Sequence, residues 1–191
     1  MEIKNVKIYD LEECLKASGY PMSTNPDSCT VSYDRGAKLG NTPTGSGHST
    51  YLSGIRVSFD LTYSQYFSMQ LQRYNFLDIV SSQSKMHRLT SMDIKEQCNK
   101  YVTDLTINML EKLISEYNEA PTPDKYMSVI SNCPMGLELT MRVSTNYQQL
   151  KTIYNQRKNH KLTDWGIFCD WIKTLDYFQL LCLNDKSQGG I

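Results

Sequence analysis

Two short segments of the chain alternate strictly between apolar and polar side chains. Ile55, Val57, Phe59 and Leu61 alternate with Arg56, Ser58, Asp60 and Thr62. Leu137, Leu139, Met141 and Val143 alternate with Glu138, Thr140 and Arg142. A period of two predicts a half-buried strand in each, the second over 135–143. Elsewhere the period is helical. Over 63–78, Phe67, Leu71 and Tyr74 share one face, and Tyr66, Gln70 and Arg73 another. Ser91 stands before a long pattern with Ile94, Cys98, Tyr101, Leu105, Met109 and Leu113 in phase, which Pro121 and Pro123 end. Residues 146–159 read as a further helix. Thr163 then caps a last one carrying Trp165, Phe168, Cys169, Ile172 and Leu175. Near the start, Asp10 and Glu13 resemble a capping box before Leu15, and Gly19-Tyr20-Pro21 stops that helix.

The order is thus helix, loop, strand, helix, long helix, strand, helix, helix, without an internal repeat. Two strands separated by a helical excursion predict an α+β or α/β domain with a small sheet. Residues 22–47 are rich in Ser, Thr, Asn, Gly and Pro and read as a loop, functional or mobile. Within it, Thr42-Pro43-Thr44-Gly45-Ser46-Gly47 offers backbone N–H groups to a phosphate but matches no phosphate-loop pattern, so it reads as a connector. The tail 185–191 is expected to fray.

Composition narrows the class. The 191 residues fit a single domain, 1–191, large enough for its own core. Zero formal net charge and the absence of a Lys/Arg block argue against a nucleic-acid coat, which needs clustered positive charge. The start MEIKNVKIYD is not a basic segment followed by an apolar run, and no apolar stretch reaches membrane-span length. The six cysteines form no C-x-x-C pair and read as reduced thiols of a cytoplasmic protein.

Candidate chemistry is sparse. His48, His87 and His160 have neither metal-ligand spacing nor a nearby acidic or cysteine cluster. Cys133, before Pro134, lies outside the helical phases, with no histidine beside it to activate it. The polar run Ser81-Ser82-Gln83-Ser84 suits hydrogen bonding better than nucleophilic attack. Two helices each carry an amide and a guanidinium: Gln70 with Arg73, and Asn146 with Arg157. Such pairs suit a nucleotide, because the amide reads base edges and the guanidinium forks onto phosphate. The plainer reading makes both arginines surface ion-pairing residues.

The spacing of these residues resembles the flavin-dependent thymidylate synthases. That family has a G-H-x-T/S segment, a strand, and a helix ending Q-x-x-R-H-R; here Gly47-His48-Ser49-Thr50 and Gln70-Leu71-Gln72-Arg73-Tyr74-Asn75 fall at that spacing. Its second half has a proline, a strand, and N-x-R-x-L leading to another Arg; Pro134, Asn146, Leu150 and Arg157 fit. The similar segments span 47–90 and 134–160. The resemblance implies an α+β fold with a small, mostly antiparallel sheet packed with long helices. It also implies a homotetramer with inter-subunit sites, binding FAD beside dUMP. Gln70, Arg73, Ser84 and Arg157 would then face the nucleotide. His48, Tyr74, Asn75, Asn146 and Gln148 would face the flavin. NADPH and methylenetetrahydrofolate would be needed if the protein is active.

This chain departs from the family at several positions. R-H-R reads Arg73-Tyr74-Asn75, the Arg of N-x-R is Gln148, Ile130 stands where an Arg precedes the proline, and the Arg after the serine run is displaced to Arg88. Each lost Arg removes a charge-assisted contact of roughly 1.5–3 kcal/mol. Three readings follow: a divergent flavin-dependent methyl or methylene transferase acting on dUMP; a non-catalytic nucleotide-binding or sequestering protein of a bacterium or phage; and a module keeping only the fold. In the first two the expected ligand is a small molecule rather than nucleic acid or membrane, and the third is a structural or protein-binding module.

Overall fold

The computed structural model describes residues 1–43 and 46–183. The 42–47 segment falls partly, and the tail 185–191 wholly, outside them. Four strands, β1 (Glu2–Tyr9), β2 (Arg56–Ser64), β3 (Asp78–Ser82) and β4 (Glu138–Asn146), form a small antiparallel sheet in the order β1-β2-β4-β3. Alternation builds the central pair as expected. Val57, Phe59, Leu61 and Tyr63 of β2 are buried, as are Leu139, Met141, Val143 and Thr145 of β4. The helices are α1 (Leu11–Ala17), α2 (Tyr33–Gly40), α3 (Gln65–Leu71), α4 (Lys85–Arg88), α5 (Ile94–Gln97), α6 (Asp104–Glu119), α7 (Pro123–Ser131), α8 (Tyr147–Arg157) and α9 (Thr163–Lys173). Among the described residues, no helix is long and apolar enough to cross a membrane. The chain forms two compact units.

The first unit comprises Met1–Lys4, Asp60–Arg73 and Ile79–Arg142. On the polar face of its strands, Arg142 Nη1 pairs with Asp60 Oδ1 at 3.0 Å, and the Thr62 and Thr140 hydroxyls meet at 2.9 Å. Three expectations are corrected here. The helix expected over 63–78 stops at Leu71, and Asp78–Ser82 is an exposed strand that lacks the inward apolar face a sequence reader looks for. The long helix expected after Ser91 is broken. Asp93 caps α5 and Thr103 caps α6, while Ser91 donates to the Arg88 carbonyl. Between the two helices, extended Cys98 bridges Leu137. That break resets the helical phase, so Ile107, Leu110 and Ile114 are buried, whereas Leu105 is 80% and Met109 42% exposed. Finally, Pro123 does not only follow a helix: it opens α7, where its missing N–H costs nothing, and Thr122 caps it by accepting from the Lys125 N–H at 3.2 Å.

The second unit comprises Asn5–Phe59, Tyr74–Asp78 and Val143–Ile191. It holds the aromatic core of Phe59, Tyr147, Trp165, Phe168 and Phe178. The expected loop over 22–46 contains helix α2, capped by Ser32, which accepts from the Arg35 N–H. Its glycines read as breakers but are packing positions. A Cβ on Gly40 would meet the Leu181 carbonyl oxygen at 2.1 Å, and one on Gly36 would meet Leu15 at 2.4 Å. Strand β1 was also missed. Its inward residues are Ile3, Val6 and Ile8, so the alternation slips at Asn5, which sits at φ 51°. Asparagine tolerates that left-handed conformation better than most residues. Asp10 does precede α1, but in a left-handed conformation (φ 61°) and without a side-chain cap. Similarly, Thr163 is the first residue of α9 rather than its cap.

Candidate functional site

Within the second unit, Asn146 starts α8 by accepting the Gln149 N–H on Oδ1 at 2.8 Å. Eleven residues on, Arg157 lies in the last turn, where a cation suits the helix dipole. Its Nε donates to the Tyr74 hydroxyl oxygen at 2.8 Å, and that hydroxyl donates to Gln156 Oε1 at 3.1 Å. The guanidinium carbon is 4.7 Å from the Trp165 ring centroid and 5.7 Å from that of Tyr74. The two rings meet nearly edge to face, at 76° and 6.1 Å. Trp165 is fully buried and makes further edge contacts with Phe168 and His160. His160 Nδ1 accepts the Leu162 N–H at 3.1 Å, which fixes its orientation. Arg157 is thus a half-buried cation that bonds to Tyr74 and lies over the Tyr74 and Trp165 rings. Each ring contact contributes roughly 0.5–2 kcal/mol.

The other residues that the resemblance directs to a flavin also fall in this unit. His48 is exposed and opens a 3-10 turn, His48–Ser53, entered through Gly47 at φ 78°, where a side chain would be strained. Asn75 is exposed. Asn146 is buried and used as a cap. Gln148, in the first turn of α8, has a buried Oε1 with no hydrogen-bond partner. That orphan acceptor suits a ligand N–H, such as the amide edge of an isoalloxazine. None of the five, however, carries a fixed positive charge, so the set does not fit a dinucleotide's diphosphate. A cation does stand one turn along, at Lys151, but its ammonium donates to the Gly40 carbonyl.

In the first unit, Gln70 is half-buried on α3. Arg73 lies exposed just beyond that helix, its N–H directed at the Gln70 carbonyl at 3.4 Å. Ser84 caps α4 by accepting the His87 N–H at 3.3 Å. Its neighbours in the polar run are structural: Ser81 and Ser82 lie in β3, and Gln83 exchanges two hydrogen bonds with the Thr140 backbone at 2.8 and 2.9 Å. Lys85, which sequence reasoning passed over, donates to Gln65 Oε1 at 3.3 Å. The four residues expected at a nucleotide therefore divide between the units, three in the first and Arg157 in the second.

The cysteines offer no obvious nucleophile. Burial pushes the Cys133 and Cys98 thiols up and the Cys169 thiol to about 11, so all three are protonated near neutrality. Cys98 is extended rather than helical, so it too lies outside the helical phases.

The fold can now be placed among solved structures. It is that of the flavin-dependent thymidylate synthases called ThyX. One structure of ThyX from Helicobacter pylori, complexed with FAD and dUMP, matches with a TM-score of 0.74 and 15% sequence identity, covering 97% of this chain and 99% of that one. A second structure of the H. pylori enzyme, with FAD and dUMP at 2.31 Å resolution, matches with a TM-score of 0.71 at the same identity and coverage. No family model and no curated protein matches the sequence.

Proposed function

We propose that this chain is a divergent ThyX-like protein that binds a pyrimidine deoxynucleotide of the dUMP type. Gln70, Arg73, Ser84 and Arg157 are the residues assigned to that ligand. Arg157 supports the reading most strongly: a scaffold like that of an FAD- and dUMP-complexed enzyme keeps a guanidinium where family spacing calls for one, and holds it with an aromatic pair. In this reading Arg73 and Arg157 anchor phosphate or uracil oxygens, Gln70 orients the base, and Ser84 donates to phosphate. The assembly is a homotetramer whose subunits share each site, and the protein is cytoplasmic.

FAD is the second ligand of this reading. His48, Tyr74, Asn75, Asn146 and Gln148 are assigned to it, and the lack of a fixed cation among them makes its binding weak. When bound, FAD would supply the redox chemistry of methyl or methylene transfer, with NADPH and methylenetetrahydrofolate as co-reactants. The same charge deficit favours an alternative: a non-catalytic nucleotide-binding or sequestering protein, of bacterial or phage origin, on this scaffold.

Visible absorbance of the freshly purified chain, followed by extraction of bound small molecules, separates the two. Flavin bands with extractable FAD support the enzyme. Colourless protein that takes up dUMP but no added FAD supports the sequestering reading. Protein that takes up neither contradicts both.

A further inference from the structure

The resemblance directs Tyr74 to the flavin, but its hydroxyl is engaged elsewhere. It accepts from Arg157 Nε at 2.8 Å and donates to Gln156 Oε1 at 3.1 Å, so one phenol oxygen links two consecutive α8 side chains. Its ring also lies 5.7 Å from the Arg157 guanidinium, with Trp165 at 4.7 Å. We infer that Tyr74 is a positioning residue for Arg157, and that with Trp165 it forms a built cradle orienting the guanidinium toward an anionic ligand. The inference rests on the nucleotide reading only for the identity of that ligand; the cradle is a property of the chain itself.

The physical argument concerns entropy and direction. An arginine side chain gives up rotamer freedom when it is fixed. A site that fixes it before binding removes that cost from the binding step. Trp165 is fully buried, so it can act only from behind, as a wall under the guanidinium carbon. Tyr74 is half-buried and adds a directional anchor at Nε. An imidazole in its place would not reach as far as a phenol hydroxyl. The family's R-H-R and this chain's Arg73-Tyr74-Asn75 therefore differ in what the middle residue does as well as in charge. The substitution weakens the flavin side and strengthens the hold on Arg157.

The test uses the full chain and two readouts. In 15N-labelled ligand-free protein, the arginine Nε–H signal that vanishes in Arg157→Lys identifies Arg157. It should exchange slowly with water in the wild type and quickly in Tyr74→Phe, which keeps the ring and removes only the hydroxyl. Equal exchange in the two proteins would overturn the inference. Calorimetric titration with dUMP should then show Tyr74→Phe binding roughly five- to tenfold more weakly. Equal dUMP affinity would also overturn it, as would a loss confined to FAD. If the exchange difference appears but wild-type protein binds no dUMP, the cradle stands and the nucleotide reading falls.

Discussion

Arg73 and Arg157 occupy corresponding places in two motif segments, yet the structure treats them differently. Arg73 is exposed beyond the end of a seven-residue helix. Arg157 is half-buried at the end of an eleven-residue helix, bonded to Tyr74 and stacked on Trp165. The same contrast recurs at the two caps. Ser84 starts a four-residue helix, whereas buried Asn146 starts α8. Spacing can therefore be preserved while structural commitment is not: the second unit ties Asn146 and Arg157 into its packing, although His48 and Asn75 stay exposed, and the first carries its own candidates at the ends of short elements. Substitutions should respond accordingly.

The largest expected effect is at the cradle wall. Trp165→Ala should destabilise the protein by about 3–5 kcal/mol, because it empties a fully buried indole site. Arg73→Ala should stay within about 0.5 kcal/mol of wild type. Urea unfolding of both variants checks the contrast, and comparable losses would break it. Next comes α2. Gly40→Ala places a Cβ against the Leu181 carbonyl and should cost roughly 1–3 kcal/mol, read in the same assay. Smaller again are the caps. Asn146→Ala should cost about 1–2 kcal/mol and Ser84→Ala less than about 1 kcal/mol. A reversed order would mean that the first unit relies on its polar run more than its exposure suggests.

What the sequence disclosed follows from the same physics. Strands β2 and β4 and helices α8 and α9 were legible because each has a single buried face with an unbroken period. Strand β1 was hidden by one left-handed asparagine, and β3 by having no buried face. Helix α2 was hidden because glycines that admit Tyr51 and Leu181 look like breakers until their neighbours are known. Helix α6 was found but turned to the wrong face, since its phase was carried across a break at 98–103. Site residues were legible one at a time through motif spacing. The Tyr74–Arg157–Trp165 contact was not, because it joins positions 83 residues apart through folding alone. Nothing local to Tyr74 marks it as an arginine partner.

The central claim is that Arg157 is a preset anion anchor for a pyrimidine deoxynucleotide. Thermal unfolding of the full chain with and without saturating dUMP tests it most directly, because a ligand that binds only the native state raises the melting temperature. The account predicts a clear upward shift in the wild type and its loss, or near loss, in Arg157→Lys, which keeps the charge but not the fork. A melting temperature indifferent to dUMP, or an equal shift in Arg157→Lys, would contradict it.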